Sequence, residues 1–336
     1  MRAYEIQEFG IENLKIVNKE MPAPSAGEVL IRVHATSINF RDLMVIEGKY
    51  NPRMKLPAIP FSDGAGEIVG VGEGVTRWSI GDRVCPIFAQ GWFDGEPDQE
   101  KSRTALGAGA HWNGVLREYA VFSEKGVVAF PEHLSYEEAA TLPCAGITAW
   151  NALVEGGKLK AGETVLTLGT GGVSIFAVQF AKMLGAAVIS TSSSDAKLMM
   201  LRDLGVEHTI NYRETENWDA TVLEVTGGRG VDHVVEVGGS GTLKRSVNAA
   251  RFGGHVALIG ALTEAGDFSH VPVFMKSVRL QGIFTGSRRM FEDMNRAIQT
   301  NQMRPVIDRT FGFEEVAEAL RYMQSGSHFG KIVISF

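Results

Sequence analysis

The stretch TVLTLGTGGVSIFAVQFAKMLGAAVISTSSS, residues 164–194, contains a β-strand pattern, a glycine-rich turn and a helix pattern in direct succession. Apolar residues in the helical part recur at the spacing of one helix face, namely Val173, Phe176, Ala177, Phe180, Ala181 and Leu184. Gly185 follows them, where a C-terminal cap is usual. This order of elements is typical of a βαβ unit that binds a nucleotide.

The glycines of this turn follow the pattern G-x-G-x-x-G except at its last position. Gly169 and Gly171 take the first two positions, which form the tight turn and let the backbone approach a pyrophosphate. Ser174 takes the third, where a small residue is needed for helix–strand packing, so we expect a dinucleotide still to bind. The same turn would also contact the cofactor through Thr170, Gly172 and Val173. A turn without a ligand is the alternative.

The end of the second strand decides which dinucleotide is expected. An acidic residue there binds the free ribose of NAD, but this chain has ISTSSSDAK, with Ser192 at the expected place. Hydroxyl groups and a nearby cation accept a 2′-phosphate, so Ser192, Ser193 and Lys197 predict NADP(H) as the cofactor. The alternative is that these residues form only a helix N-cap and a solvated face.

The chain of 336 residues is long enough for two domains. Its first 122 residues are rich in short strand patterns and turn glycines, whereas strand and helix patterns alternate from residue 164 onward. We therefore predict an α/β protein in which a doubly wound parallel sheet is combined with a β-rich domain. The C-terminal part adds two amphipathic helix patterns and a final strand pattern, KIVISF.

Composition excludes several classes of partner. The formal net charge is −6 and there is no run of Lys or Arg, so nucleic acid is not expected to bind. No apolar stretch approaches the roughly 20 residues needed to cross a bilayer, and the first residues lack a signal-peptide pattern. Two cysteines cannot form a disulfide framework. The expected location is the cytoplasm, and no membrane partner is expected.

Several segments together resemble the medium-chain dehydrogenase/reductase superfamily, within it the zinc-free branch of quinone oxidoreductases and alcohol dehydrogenase-like proteins. They are GEVLIRVHATSINFRD, GEIVGVGEGVTRWSIGDRV, EYAVF, LPCAGITAWNAL, GETVLTLGTGGVSIFAVQFAK and GKIVI, in the order of the family. The resemblance implies a GroES-like catalytic domain from residues 1–122 and 286–336. It also implies a Rossmann dinucleotide-binding domain from residues 123–285.

The same resemblance locates the metal ligands of the zinc-dependent members. Their cysteine, histidine and second cysteine fall on Asn39, Ser62 and Cys144. A catalytic zinc needs three Cys, His or acidic ligands, so no zinc is expected here. The four-cysteine structural lobe is missing from residues 86–118. Cys144 is expected to be a small side chain near the nicotinamide, with a reactive thiol as the alternative.

Without zinc, the segment NFRDLMVIEGKY is the part that resembles the active site of quinone oxidoreductases. The resemblance assigns catalytic roles to Asn39, Asp42 and Tyr50. An amide and a phenol can donate hydrogen bonds to a carbonyl oxygen that gains charge as hydride arrives. Proton donation by Tyr50 or by solvent stays open, as does a purely structural role for Asp42. Arg41 either faces solvent or contacts the cofactor.

Further positions match family loops that border the cofactor. They are Thr148, Tyr212, Gly238, Gly239, Ile259, Gly260, Ala261, Phe284, Thr285 and Lys331.

The segment at residues 92–114 departs most from simple quinone oxidoreductases, because it is longer and more aromatic. We predict a long loop, in which Trp92, Phe93 and Trp112 either roof the substrate cleft or anchor the loop to its own domain.

The expected function is metal-independent, NADPH-dependent hydride transfer to a small quinone, enone or other carbonyl. The alternatives are a zinc-independent NAD(P)-dependent alcohol dehydrogenase and a non-catalytic nucleotide-binding protein. We expect a homodimer, since relatives pair sheet edges and residues 277–284 read as such an edge.

Overall fold

The computed structural model describes residues 1–109, 111–260, 262 and 268–336. The chain forms two compact units, residues 1–147 with 285–336, and residues 148–284. The sequence prediction ended the first domain at residue 122, whereas the first unit continues to Ile147. The reason is that the strand Val127–Ala129 pairs antiparallel with Arg83–Pro86 in the sheet of the first unit.

The strands follow one another along the described chain as β1 (Arg2–Ile6), β2 (Leu14–Asn18), β3 (Glu28–Ile38), β4 (Asp63–Val71), β5 (Arg83–Pro86), β6 (Tyr119–Ser123), β7 (Val127–Ala129), β8 (Thr164–Leu168), β9 (Ala187–Ser192), β10 (His208–Asn211), β11 (Val231–Glu236), β12 (Ala250–Leu258), β13 (Arg279–Gly282), β14 (Ile307–Gly312) and β15 (Lys331–Ser335).

The helices are α1 (Phe40–Ile46), α2 (Gln99–Ser102), α3 (Tyr136–Ala139), α4 (Ile147–Trp150), α5 (Gly172–Met183), α6 (Asp195–Asp203), α7 (Trp218–Val225), α8 (Ser240–Ala249), α9 (Val271–Met275), α10 (Arg288–Asn301) and α11 (Val316–Gln324). Two π-helical turns, Leu142–Gly146 and Asn151–Gly156, flank α4. Short 3₁₀ turns lie at Ile11–Asn13, Glu124–Gly126 and Phe313–Glu315. No helix in the described ranges has the length and apolar character needed to cross a membrane.

The first unit is built on a sheet in the order β14-β15-β3-β4-β5-β7, with β6 also paired to β3. Apolar side chains from this sheet, including Ile31, Ile68 and Ile332, are buried with the apolar face of α11. Strand β3 pairs antiparallel with both β15 and β4, so that its C-terminal end meets the N-terminal ends of both neighbours. This register brings polar residues from three distant parts of the chain to one end of the sheet.

The second unit is a parallel six-stranded sheet in the order β10-β9-β8-β11-β12-β13. Numbered within the unit, this is the order 3-2-1-4-5-6 of the doubly wound dinucleotide-binding fold. The strand order reverses between β8 and β11, and ligands of such sheets bind beyond the carboxyl ends of the strands at that point. The α/β fold class predicted from the sequence, with a Rossmann sheet and a GroES-like domain, is confirmed.

Where it is described, at residues 92–109 and 111–114, the segment predicted as a long loop is irregular apart from the short helix α2 and an isolated bridge from Ala105 to Ala89. Trp92 is buried, packs with Phe88, Ala105 and Cys144, and donates from Nε1 to the carbonyl of Gly95 at 2.8 Å. The Phe93 ring lies under the Arg288 guanidinium, 5.2 Å from its central carbon. Trp112, by contrast, is 39% exposed. Trp92 and Phe93 thus anchor the segment within the first unit, as one of the two predicted alternatives has it.

Candidate active site

Asn39 lies between the end of β3 and the start of α1, and its backbone caps that helix. The Asp42 carboxylate accepts a 2.9 Å hydrogen bond from the backbone N–H of Asn39, which fixes the turn. Both residues are buried. The sequence alternative of a structural Asp42 is therefore supported by a direct contact, since its carboxylate holds the loop that carries Asn39.

The side-chain amide of Asn39 is oriented by Lys331. The ammonium of Lys331, at the start of β15, donates to Oδ1 of Asn39 at 2.6 Å and to the carbonyl of Ile38 at 2.7 Å. An ammonium can only donate, so the acceptor must be the amide oxygen. Nδ2 of Asn39 is the other end of the amide, and it is buried without a hydrogen-bond partner in the described part of the chain.

Asp63 is the second buried carboxylate of this cluster. It accepts from the Ser62 hydroxyl at 2.7 Å and from the backbone N–H of Cys144 at 3.1 Å. Burial raises the pKa of Asp63, and the nearby Lys331 ammonium opposes that shift. The Asn39 amide also lies near enough to favour the ionised carboxylate, although Nδ2 does not complete a hydrogen bond of normal geometry.

The cluster contains four buried ionisable side chains, the carboxyl groups of Asp42 and Asp63 and the cationic groups of Arg41 and Lys331. Burial raises the pKa of Asp42 to about 6, which the Arg41 guanidinium opposes and the Asp63 carboxylate reinforces. Burial also lowers the pKa of Lys331, which the two carboxylates oppose. The charges compensate one another, as buried charges must.

The donor set of this cluster does not fit a catalytic zinc. Oδ1 of Asn39 already accepts from an ammonium, and the Ser62 hydroxyl donates to Asp63. Burial strongly raises the pKa of the Cys144 thiol, so that in the metal-free protein it is protonated and a poor nucleophile at neutral pH. The described residues contain no group of three His, Cys, Asp or Glu side chains that could hold a metal ion.

Tyr50 and Arg41 lie against each other, with the guanidinium carbon 5.1 Å from the centre of the Tyr50 ring. Tyr50 is 41% exposed, so part of its side chain is open to solvent. The Arg41 side chain is only 11% exposed. The predicted alternative that Arg41 faces solvent is therefore wrong, because Asp42, Tyr50 and neighbouring groups enclose its guanidinium.

The glycine-rich turn of the second unit has the geometry that the sequence predicts. Gly169 follows β8 with a φ of +69°, a conformation that favours glycine, and its N–H donates to the carbonyl of Thr191. Helix α5 then starts at Gly172, with Gly171 at its N-cap. The N–H groups of a first helical turn have no partner within their helix, so this donor set fits a pyrophosphate.

Ser174 explains how the turn tolerates the missing third glycine. Its side chain is buried, and its hydroxyl donates a 2.7 Å hydrogen bond to the carbonyl of Leu168 at the end of β8. The added hydroxymethyl group therefore ties the helix to the strand.

The end of β9 shows how the predicted 2′-site is arranged. Ser194, and not Ser192 or Ser193, is the N-cap of α6, and its hydroxyl accepts from the backbone N–H of Lys197. Ser192 is buried, and its carbonyl accepts from the backbone N–H of Tyr212, so these two residues lie together. The helix-cap alternative therefore applies to Ser194 alone.

Sequence reasoning missed an acidic residue at this place. Asp195 starts α6, is exposed, and accepts a 2.8 Å hydrogen bond from the side-chain amide of Asn211. A carboxylate near the 2′-position would repel a 2′-phosphate. Asp195 was missed because it lies three residues after Ser192, the position at which the fingerprint places the acidic residue.

A second missed residue organises the loop after β11. The buried carboxylate of Glu236 accepts from the backbone N–H groups of Gly238 at 2.7 Å and Gly239 at 2.9 Å. The hydroxyls of Thr242 and Ser246 donate to it as well. These two glycine N–H groups are thus bonded to Glu236, and glycine is needed at 238 because a Cβ would lie 2.3 Å from the Thr242 hydroxyl.

The other predicted border residues are divided between the units. Ile259 and Gly260 follow β12, and a Cβ at Gly260 would lie 2.0 Å from the carbonyl of Val237, so the two loops approach closely. Phe284 is 38% exposed at the end of the second unit, whereas Thr148 is buried at its start. Thr285 and Lys331 belong to the first unit and are buried there. The position predicted at Ala261 lies outside the described residues.

Comparison with known proteins agrees with this architecture. Residues 25–132 match the family described as alcohol dehydrogenase GroES-like domain, and residues 172–300 match that described as zinc-binding dehydrogenase. The chain belongs to the medium-chain dehydrogenase/reductase superfamily, and it is an oxidoreductase of that superfamily.

Individual relatives match over nearly their full length. A zinc-type alcohol dehydrogenase-like protein of Schizosaccharomyces pombe is 41% identical, over 97% of this chain and 96% of its own. The crystal structure of a putative alcohol dehydrogenase from Sinorhizobium meliloti matches with a TM-score of 0.92 and 40% identity, over 100% of this chain and 98% of that one. Quinone oxidoreductase of Homo sapiens is 28% identical over 99% of this chain and 97% of its own.

Proposed function

We propose that this protein transfers hydride from NADPH to a small quinone, enone or other carbonyl compound without a metal ion. The observation that carries the proposal is the amide of Asn39, whose oxygen accepts from Lys331 and whose Nδ2 is a buried donor that completes no hydrogen bond of normal geometry in the described residues, although the Asp63 carboxylate lies nearby. A fixed donor of this kind stabilises an oxygen atom that becomes negative in the transition state. Quinone oxidoreductase among the relatives supports this class of substrate.

The second unit supports the cofactor part of the proposal. The turn at Gly169–Gly171 and the first turn of α5 offer backbone N–H groups to a pyrophosphate, and Ser192, Ser193 and Lys197 are the residues that we expect to bind the 2′-phosphate. The bound dihydronicotinamide supplies a hydride, that is, two electrons and a proton. Asn39 then orients the acceptor carbonyl, and the exposed Tyr50 hydroxyl or solvent supplies the proton that the product oxygen needs.

Metal independence is the part of the proposal that separates this chain from zinc alcohol dehydrogenases. It rests on Asn39 and Ser62, whose amide oxygen and hydroxyl already make hydrogen bonds within the protein and which leave Cys144 as the single thiol of the three positions. We expect full turnover of 9,10-phenanthrenequinone with NADPH after dialysis against 1,10-phenanthroline. Near-stoichiometric zinc by elemental analysis, lost together with activity, would contradict it.

The alternative direction, oxidation of an alcohol, uses the same donors and has the support of the alcohol dehydrogenase-like relatives. It requires a base that takes the hydroxyl proton. Asp42 is fully buried and already bonded to Asn39 and Arg41, so it does not offer that base. In the oxidation the proton would leave through the same route that supplies it in the reduction, Tyr50 or solvent; because the reduction consumes a proton, we expect carbonyl reduction to be favoured over alcohol oxidation at neutral pH.

We also propose a homodimer formed through the edge of the parallel sheet. Strand β13 pairs with β12 on one side and is the last strand of that sheet. Nearby apolar residues are strongly exposed, Phe252, Phe274 and Met275 among them. Sedimentation velocity should give twice the mass of the chain, and Phe274→Glu should shift the species toward one chain.

A further inference from the structure

The guanidinium of Arg41 is fixed in its plane by contacts on several sides. Nη1 donates to the Asp42 carboxylate at 3.2 Å and to the carbonyl of Leu106 at 3.1 Å. The Tyr50 ring centre lies 5.1 Å and the Phe88 ring centre 4.9 Å from the guanidinium carbon. Stacking on aromatic rings is favourable for a guanidinium and restricts its rotation.

The other two nitrogens of this guanidinium complete no hydrogen bond of normal geometry within the described residues, although the nearby Tyr50 hydroxyl helps to raise the pKa of Arg41. Nε and Nη2 of Arg41 are both buried, and neither makes a hydrogen bond within the described residues. A buried charged donor without an acceptor costs free energy, so its retention calls for a ligand. The N–H bonds of Nε and Nη2 are parallel, and together they form the side-on edge that matches the two oxygens of a carboxylate.

The position of this edge relates it to the proposed active site. Arg41 is in the first turn of α1, the helix that Asn39 caps. Leu106, which holds Nη1, comes from the segment at residues 92–114 that distinguishes this chain from simple quinone oxidoreductases. That segment therefore helps to fix the orientation of Arg41.

The charges around Arg41 can accommodate an added anion. Arg41 and Lys331 balance Asp42 and Asp63 when all four groups are ionised. A further carboxylate would leave one excess negative charge. Because burial raises the pKa of Asp42 to about 6, proton uptake by Asp42 can offset that charge close to neutral pH.

We propose that the Nε–Nη2 edge of Arg41 binds a carboxylate of the substrate, so that the substrate is a small carbonyl or enone that also carries a carboxylate. This inference rests on the proposed function, which it makes more specific. In the reduction, hydride from the dihydronicotinamide adds to the carbonyl carbon or the enone β-carbon as the π bond breaks. A proton from solvent completes the product, the cofactor is oxidised by two electrons, and the carboxylate is unchanged.

The test compares 4-oxopent-2-enoate with its methyl ester, both reduced with NADPH. Arg41→Lys keeps a positive charge but removes the pair of parallel N–H donors that can bind a carboxylate in a bidentate manner. A charge-assisted bidentate contact corresponds to roughly a 10- to 100-fold effect, so the acid-to-ester ratio of kcat/KM should fall by that factor in the variant. The surface substitution Arg53→Lys is the matched control and should leave the ratio as in the wild type.

Two further measurements test the carboxylate site independently of the Arg41→Lys kinetics, one on the stacked Tyr50 ring and one on binding without turnover. Tyr50→Leu leaves the Arg41–Asp42 ion pair in place but removes one stacked ring, so it should lower the same ratio by a smaller factor. With NADP⁺ in place of NADPH there is no turnover, and the Kd of 4-oxopent-2-enoate should rise roughly 10- to 100-fold in Arg41→Lys.

The failures of the two proposals are distinguishable. An acid-to-ester ratio that is the same in wild type and Arg41→Lys, with both compounds reduced, would overturn the carboxylate site and leave the reductase function standing. Binding of the acid that depends on Arg41, without reduction of any carbonyl tested, would support the site and contradict the proposed function. Equal Kd values in wild type and variant would overturn the site.

Discussion

Lys331 donates a 2.6 Å hydrogen bond to the side-chain oxygen of Asn39, although 292 residues separate the two along the chain. The contact is possible because β15 pairs antiparallel with the end of β3, with Ile332 opposite Ile38. Lys331 thus decides which end of the Asn39 amide is the unpaired donor. In the account given above it is a positioning residue that acts through Asn39.

Lys331→Met should lower kcat by roughly 10- to 100-fold, the effect of losing a hydrogen bond to a charged group, while KM changes much less. The reason is that the amide becomes free to rotate, so that Nδ2 no longer meets the developing oxyanion. A double-mutant cycle makes the test specific. Lys331→Met should have little further effect on kcat in an Asn39→Ala background. Additive losses would show that Lys331 acts independently of Asn39 and would contradict the positioning role.

Asp42 should make the stability of the folded chain fall with rising pH. Burial raises its pKa from 3.8 to about 6, so between these values the folded state binds more protons than the unfolded state. The free energy of unfolding of the wild type, relative to Asp42→Asn, should therefore decrease by about 2 kcal/mol from pH 4 to pH 7.

Urea unfolding of both proteins at each pH gives this difference. Titrating groups that are common to both proteins and do not interact with Asp42, such as His255, contribute equally and cancel to first order. Glu8→Gln, at an exposed position of the same unit, is the control and should follow the wild type. A difference that rises with pH would mean that Asp42 is stabilised as the ion and that its ion pair with Arg41 outweighs burial.

The 2′-site should favour NADPH over NADH, with Lys197 as the cation. Lys197→Ala should raise the Kd of NADPH roughly 10- to 100-fold and leave the Kd of NADH nearly unchanged. Ser192→Asp should reverse the preference, because it repels the 2′-phosphate and accepts the 2′-hydroxyl. Asp195→Asn should strengthen the binding of NADPH, since it removes the exposed carboxylate next to the predicted 2′-site.

Fluorescence titration with both cofactors measures these Kd values, and Lys244→Ala on the surface of the second unit is the control. Equal losses for NADPH and NADH in Lys197→Ala would mean that the residue supports only the fold of α6. Equal affinities of the wild type for both cofactors would contradict the proposed preference itself.

The architecture of the second unit could be predicted from the sequence because its signals are local. The strand at residues 164–168, the positive-φ glycine at 169 and the amphipathic helix up to Met183 lie within twenty residues of each other. The spacing of apolar residues along these elements indicates which of their faces are buried. The boundary of the first unit was less visible, since the strand Val127–Ala129 has only three residues and its partner lies about forty residues away.

The candidate active site could be predicted only in part. Asn39, Asp42 and Tyr50 lie in one segment that resembles a known family, and the structure places Asn39 and Asp42 in direct contact. The roles of Lys331 and Arg41 depend on distant partners, the end of β3 in one case and Leu106 with Phe88 in the other. Contacts that a fold creates between remote segments leave no periodicity in the sequence.

The central claim is that the Asn39 amide stabilises the charge that hydride transfer places on the substrate oxygen. Its most direct test is the single-turnover rate of NADPH oxidation by 9,10-phenanthrenequinone in wild type and Asn39→Ala, both freed of metal by chelation. We expect the rate in the variant to be lower by a factor of up to about 10²–10³, with the Kd of NADPH unchanged. An equal rate in both proteins, or a wild-type rate that returns only when zinc is added, would contradict it.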